Sequence, residues 1–580
     1  MKFVEIIKEN NNLGLQLIKS NPYNINVLSN ITINQLKPVL EYGLREKGIN
    51  AIVEIGDYDN IIQESVKLTK NNTVIIFWEL ININENFLYN IESYSDEKFE
   101  KLLKKIKLEI TLLIDSLKHN PLILFNKFSY LNFNSFQLKK NKYEKLSDIL
   151  NIFLIEKLTP NFRIIDIDKI FMQLSVNSCI DLRNFNSTKS MYTIDFFKNY
   201  VKYIIPIFQT AQGFVKKAII FDCDNTLWGG VIGEDGIENI QLDETKKNGI
   251  YFKQVQLLAK QLLANGVVLG ICSKNNFDDV IEVFEKSNTC TLKKDDFLIK
   301  KINWNDKSTN LKEISKELNI GIDSLIFVDD SEFEINLIKQ QIPEIQTFIV
   351  PKNLSEYPIY FYNFIFSLFF NSSTKEDTIR LKSYHENLQR DSIKDNFSDI
   401  ESYIKSLEIQ IHLEIDKIEN IERVAQLTQK TNQFNLTTKR YTTEQIKLLM
   451  SSKNSEIVTV NVIDKFGESG LTGVCILLID VDTLTVEIDT LLLSCRILGR
   501  NIEIAFLEEL ISFYSQRGFK YIKSTFIKSP KNNQVENFFE KINFDLLNKN
   551  NLIKYYHFNL TNYIKSPITI NYIKKEWKQE

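Results

Sequence analysis

Cysteine is scarce and poorly spaced for building structure: the 580 residues hold six, at Cys179, Cys223, Cys272, Cys290, Cys475 and Cys495, with no CxxC pair. Thiols spread this thinly exclude a disulfide framework and a zinc ribbon and suit a reducing compartment. Charge of one sign does not accumulate either. The formal net charge is −3, with no polybasic tail and no acidic block, so nothing calls for a nucleic-acid partner. Long apolar runs are missing. No stretch could span a bilayer, and the opening "MKFVEIIKENNNLGLQ" lacks the apolar core and small-residue cleavage site of a secretory signal. The expectation is a cytoplasmic protein without membrane association. Internal repeats and low-complexity linkers are absent too.

What remains is the composition of a globular protein, 43% hydrophobic and 25% charged, long enough for about three or four domains. The expected fold class is α/β and multidomain. Apolar runs at "INVLSN", "INAIVEIG", "NTVIIFWEL", "PLILFN" and "FRIIDID" alternate with helical patterns through residue 212, as in a three-layer domain built on a parallel sheet. A second alternation occupies residues 213–370, with strands "KKAIIF", "VVLGICS" and "SLIFVDD" in a doubly wound arrangement. Residues 371–405 read as a helical linker. In residues 406–580 the pattern changes to "EIVTVNVID", "LTGVCILLIDV" and "LTVEIDTLLLSC", one amphipathic helix and "YIKSTFI", which fits an α+β domain of mostly antiparallel strands.

Chemistry concentrates where the second domain's strands end. "FDCDNTLWGGVIGEDG" follows an apolar strand with Asp222 and Asp224, one residue apart. A buried strand gains nothing from carboxylates, whereas the carboxyl ends of parallel strands are where open α/β sheets bind ligands. An isolated DxD more often merely opens a turn. Here it has company: Ser273 ends "GICS", Lys307 lies in "NWNDKS" just before a helix, and Asp329 and Asp330 end "LIFVDD".

These elements, in this order, resemble the haloacid dehalogenase (HAD) superfamily of phosphotransfer enzymes. The resemblance implies Asp222 as nucleophile and Asp224 as general acid/base, with Mg²⁺ held by Asp222, by Asp224 through its backbone carbonyl, and by Asp329 or Asp330. It further implies Ser273 as a donor to a phosphoryl oxygen, Lys307 as a counter-charge and Thr226 as a brace for the loop. Neither usual insertion point has room for a full cap domain, so an open cleft is expected.

"DNTLWGGVIGEDG", with "ICSKNN", "QLTQKTNQFNLTTKRY", "DKFGESGLTGV" and "LSCRILGR", is similar in order to the FkbH-like family, the HAD-IIIC branch. That resemblance spans nearly the whole chain. It implies dephosphorylation of a three-carbon acyl phosphate such as 1,3-bisphosphoglycerate and loading of the glyceryl unit as a thioester on the phosphopantetheine arm of an acyl carrier protein, in natural-product or polysaccharide biosynthesis. The alternative is a Mg²⁺-dependent phosphatase joined to an N-acyltransferase that uses acyl-coenzyme A. Thioester chemistry asks for an accessible, stabilised thiolate. Among Cys223, Cys272 and Cys495, each also readable as a small buried apolar residue, Cys223 is preferred for its place beside the aspartates.

"CRILGRN" resembles the pyrophosphate-holding segment of GCN5-related N-acetyltransferases (GNAT). Arg496 and Gly499 match it, while Asn501 stands where a small residue belongs. Asn432, Gln433, Asn435 and Arg440 in the amide-rich stretch, and Asp464, Phe466 and Gly467 in "DKFGESG", are candidate substrate contacts. In the leading domain, Ser29 occupies the place of the nucleophile of SGNH hydrolases. A serine nucleophile needs a histidine base, and of the chain's four histidines only His119 precedes residue 212, outside the expected late segment. An SGNH-like shape without hydrolase activity is expected.

Overall fold

The computed structural model describes the chain apart from residues 19, 132–138, 160, 243, 370–374, 395–396, 530, 562, 564–571 and 577–580. Two compact units divide it: Met1–Ala211 with Arg440–Ile446, and Gln212–Lys439 with Lys447–Glu580.

The first unit carries a parallel sheet of β1 (Tyr23–Ser29), β2 (Ala51–Ile55), β3 (Thr73–Phe77), β4 (Ile123–Asn126) and β5 (Phe162–Ile165), in the order β2-β1-β3-β4-β5. That is the order of flavodoxin-like sheets. The continuous apolar runs follow from burial on both faces. In β3, Val74 and Ile76 enter one core while Ile75 and Phe77 enter the other, the period of two that a doubly covered strand requires. Ser29 spends its hydroxyl locally, donating to the Ile31 carbonyl at 2.9 Å and accepting the Ile31 N–H at 3.0 Å.

The second unit holds two sheets. The parallel one contains β6 (Ala218–Phe221), β7 (Val268–Ser273), β8 (Phe297–Ile302), β9 (Leu325–Asp329) and β10 (Gln346–Ile349), in the order β10-β9-β6-β7-β8. The same alternation recurs: Ile219 and Phe221 face one core, Ala218 and Ile220 the other. From β6 the chain winds out through β7 and β8, then returns to β9 on the other side. The switch point therefore lies between β6 and β9, whose carboxyl ends carry the aspartates. Between β6 and β7 stand only the short helix Ile232–Asp235 and the helix Gly249–Ala264, and between β7 and β8 only Phe277–Lys286 and a single 3₁₀ turn.

The third sheet is mixed. Its strands are β11 (Gln410–Ile415), β12 (Phe434–Asn435), β13 (Ser455–Asp464), β14 (Gly467–Asp480), β15 (Thr485–Leu493), β16 (Tyr521–Ile527), β17 (Asp545–Lys549), β18 (Ile553–Asn559) and β19 (Tyr572–Glu576). The order is β17-β18-β16-β15-β14-β13-β11-β19, with β12 on β15. β15 and β16 run parallel and pair only from Thr485 to Ile488. A bulge at the next residue, Asp489, then redirects β15. The far end of β15 pairs with β12 through Leu492 and Leu493. Asn532, wholly buried, fixes this inserted segment by donating to the carbonyls of Asn435 and Ile527, both at 2.9 Å.

Asp464 at the end of β13 serves the fold. Its carboxylate takes both prongs of Arg390 at 2.7 Å, Arg500 at 2.8 Å and the N–H of Phe466 at 3.0 Å. With its acceptor positions occupied inside the protein, it has no capacity left for a ligand. Asn435, also wholly buried, bonds to Thr431 and Thr438. Replacing Asp464 by Ala would take from two buried guanidinium groups the carboxylate they share, a defect worth about 3–5 kcal/mol; a urea titration should show the second unit losing that much stability.

Candidate active site

Strand pairing sets the site. Phe221 lies opposite Ile271 of β7 and Val328 of β9, so the residues that follow it emerge level with Ser273 and Asp329. The N–H of Asp222 donates to the Val328 carbonyl at 2.9 Å, continuing the ladder one residue beyond the strand. Carboxylate oxygens of Asp222, Asp329 and Asp330 lie within 4.8 Å of one another. Lys307, at the start of the helix Lys307–Glu317, reaches under them: its Nζ is 3.1 Å from Asp222 and 2.7 Å from Asp329. The Asp329 side chain is wholly buried, and its second oxygen accepts the Ser331 N–H at 2.8 Å.

Burial dominates the electrostatics. It lifts the Asp222 pKa to about 6, against the pull of Lys307 and with a push from Asp329. Burial raises Asp329 against the same pull, and raises Asp330 with help from the Asp222 charge. For Lys307 burial alone would lower the pKa, yet the two carboxylates carry it above the ordinary lysine value. The ammonium thus stays charged at every relevant pH.

Asp224 stands outside this trio of carboxylates, although its charge helps to raise Asp330. Asn225 takes a left-handed conformation, φ 52°, which asparagine tolerates better than most residues, and the chain doubles back. One oxygen of Asp224 accepts from the Trp228 indole at 2.9 Å and the Ile232 N–H at 3.1 Å; the other accepts from Asn275 at 3.0 Å. Asn275 also donates to the Ser273 hydroxyl at 3.1 Å and so links the second aspartate to the serine. The paired glycines have steric reasons. A Cβ on Gly229 would meet Phe252 at 2.8 Å, and one on Gly230, φ 99°, would meet Asp235 at 2.6 Å.

Two members of the motif point inward. Thr226 is wholly buried with no partner for its hydroxyl among the described residues, and the turn is held instead by the N–H groups of Thr226 and Leu227 on the Cys223 carbonyl. The Cys223 thiol is also wholly buried; burial and then Asp222 push its pKa well above the thiol range. Cys272 is raised by burial in the same way. Of the six cysteines only Cys495 is even partly exposed.

The remaining candidates lie elsewhere. Asn432, Gln433 and Arg496 line a cavity at the amino ends of β6 and β9. Gly499, φ 80°, and Asn501, φ 58°, shape the turn into the helix Ile502–Gln516. Glu503 in its first turn already places a carboxylate there, its pKa raised by burial. Arg440 belongs to the first unit, where burial lowers its pKa to about 10. Trp228 and Asn275 were not singled out from sequence. Their signal was an indole and an amide inside motifs otherwise explained by carboxylates and hydroxyls.

No family model matches the chain, and no curated protein matches it. Among solved structures, the chain is similar to the N-terminal part of the protein BF1531 from Bacteroides fragilis, which contains a phosphatase domain and is complexed with Mg. Identity is 25% and the TM-score 0.53, over 61% of this chain and 96% of that one. About a quarter of the chain aligns with the ribosomal-protein-S18-alanine N-acetyltransferase from Escherichia coli, at 8% identity and TM-score 0.22 over 99% of that chain. An acetyltransferase of the GNAT family from Streptococcus pneumoniae aligns at 11% identity and TM-score 0.22 over 98% of its length. Scores this low do not establish a shared fold.

Lys307→Met should uncover the dependence of the cluster on its one cation. The pull of Lys307 on Asp222 and Asp329 is gone in the variant, so at neutral pH it should lose about 3–5 kcal/mol of stability. At lower pH protonation of the carboxylates relieves the repulsion, so the deficit should shrink as pH falls. Denaturation curves at pH 7.5 and pH 5 would read the difference.

Proposed function

We propose that the second unit performs HAD-type, Mg²⁺-dependent phosphoryl transfer through Asp222, on a chain that also carries a GNAT-like acyltransferase domain. The observation that carries the first part is the convergence of Asp222, Asp329, Asp330 and Lys307 at the switch point of the β10-β9-β6-β7-β8 sheet. The donor set fits the metal: three hard carboxylates, close enough for one small cation. Asp222, Asp329 and Asp330 would hold it, and when bound it supplies neutralising charge between a phosphoryl group and the attacking carboxylate.

The chain's own residues do the rest. An Asp222 oxygen attacks phosphorus, the bond to the leaving oxygen breaks, and an aspartyl phosphate remains for water to hydrolyse. Lys307 and Ser273 face the charge that spreads over the equatorial oxygens. Asp224 gives a proton to the leaving group and later takes one from water, its carboxylate aimed by Trp228, the Ile232 N–H and Asn275. Among the described residues no more than two helices separate β6 from β7 or β7 from β8, which suits a bulky phosphorylated substrate.

For the acyltransferase part, support comes from the third sheet's own plan: parallel β15 and β16 that part after Ile488, a bulge at Asp489, and the turn with Arg496 and Gly499 leading into a helix. Its acyl donor would be acyl-coenzyme A, or a carrier protein presenting the same phosphopantetheine. The narrower FkbH-like reading, glyceryl transfer from 1,3-bisphosphoglycerate to an acyl carrier protein, stands second. Burial of Cys223 weighs against the thiol preferred as acyl carrier beside the aspartates.

The purified chain should hydrolyse p-nitrophenyl phosphate or acetyl phosphate only with Mg²⁺, and Asp222→Asn should lower that rate at least about 10³-fold. Turnover retained in the variant would remove Asp222 as nucleophile. Intact-protein mass after incubation with holo carrier protein and 1,3-bisphosphoglycerate decides between the two readings. Free phosphate without an adduct is expected; a glyceryl adduct on the carrier would promote the second reading to first.

A further inference from the structure

A cavity opens at the opposite end of β6 from Asp222. It encloses about 440 Å³ and is lined by Lys217, Asp323, Asn432, Gln433, Cys495 and Arg496, among others. Lys217 immediately precedes β6 and Asp222 immediately follows it, so the two places are separated by the length of the strand, about 16 Å at 3.3 Å per residue. A volume of this size takes a small molecule.

Its polar groups are left in an unusual state. Arg496 is 92% buried, yet Nη1 has no hydrogen-bond partner and the guanidinium is in no ion pair among the described residues. Buried guanidinium nitrogens are almost always paired, because leaving one dry and unbonded is costly. Gln433 beside it has a buried amide oxygen without a donor. The neighbours are spoken for: Lys531 pairs with Asp323 at 2.6 Å and donates to the Gly213 carbonyl at 3.1 Å, and Asn432 donates to that same carbonyl at 2.8 Å. Lys216 next to the cavity donates to the Asp323 carbonyl, and burial holds its pKa down at about 8. The unmet demands at buried atoms are therefore one for negative charge, at Arg496, and one for a hydrogen-bond donor, at Gln433; Lys217 and an exposed Glu344 also line the cavity. Phe214, Ile322, Leu427 and Leu493 give the cavity an apolar floor.

We infer that this cavity is a second ligand site, taking a small anion that also carries a hydroxyl or amide donor, with Arg496 on the anionic group and Gln433 on the donor. The site is built from the amino ends of β6 and β9, the helix Ile421–Lys430 and the end of β15, so it belongs to both halves of the second unit. It does not depend on the phosphotransfer reading, but it uses the side chain of Arg496, whose turn also supports the acyltransferase reading.

Cys495 provides a direct test, since it lines the cavity while the other five cysteines are buried. Iodoacetamide labelling of Cys495, followed by peptide mass, should be slowed by lactate or by glycerol 3-phosphate, and whichever protects identifies carboxylate or phosphate as the anionic group. Propionate, which lacks the donor, should protect more weakly, and 1,2-propanediol, which lacks charge, should not protect. Arg496→Met should weaken protection at least about tenfold. Gln433→Leu should reduce the hydroxylated anion to the level of propionate without changing propionate itself, which keeps the test decisive should the arginine variant fail to fold. Asp222→Asn should leave protection intact whether or not it abolishes phosphate release. Protection by neither anion, equal protection by 1,2-propanediol, or retention in both cavity variants would overturn the assignment.

Discussion

One buried ammonium organises the carboxyl end of the second unit's parallel sheet. Lys307 touches Asp222 and Asp329, and each contact near 3 Å is worth roughly 5 kcal/mol of attraction at an effective dielectric of about 20. Removing each ion from water costs several kcal/mol, so the attractions largely offset the burial of Lys307 and its two partners. They leave Asp330 uncovered. Three carboxylates against one ammonium retain two negative charges in a half-dry pocket, and burial accordingly raises all three acids. The cluster is unfinished as an ionic assembly, and a divalent cation is the simplest complement to that residual charge.

The same balance explains why the surrounding groups are donors. Around Asp224, which lacks an ammonium of its own, the chain gathers an indole, a backbone N–H and a side-chain amide. Neutral donors fix the direction of a carboxylate without cancelling its charge. The two aspartates of "DCD" thus differ by environment: Asp222 sits in the carboxylate cluster at the end of the ladder, and Asp224 is aimed by hydrogen bonds in a turned-back loop. The alternation of a strand would already place them on one side; the left-handed Asn225 and the glycines behind it separate their surroundings.

Much of this was legible before the structure, for a physical reason. Parallel strands buried on both faces write themselves as unbroken apolar runs, and polar residues at their carboxyl ends stand out against that background. β6, β7 and β9 were read directly with Asp222, Ser273 and Asp329 at their tips. β8, "FLIKKI", and the four-residue β10 were not read, because edge strands need fewer apolar residues and tolerate lysine. The amide-rich stretch misled in a different way. Asn435 and Asp464 have the side chains of ligand contacts, but the fold consumes them internally, and composition cannot tell a polar group that serves a substrate from one that serves a bulge or a buried pair. Arg496 and Gln433 show the converse: only the structure reveals that their partners are missing.

The two ends of β6 complete the electrostatic logic. At the carboxyl end, strand tips and following turns collect acids, and one lysine is drawn in to balance them. At the amino end Lys216 and Lys217 precede the strand, Arg496 and Lys531 approach from the other sheet, and Asp323 meets only part of that charge. A single four-residue strand therefore separates a cation-demanding place from an anion-demanding one. Apolar packing covers both faces of β6 between the two places. Each end can then retain an unsatisfied charge in the folded state, as a site must if its ligand is to supply what the chain withholds.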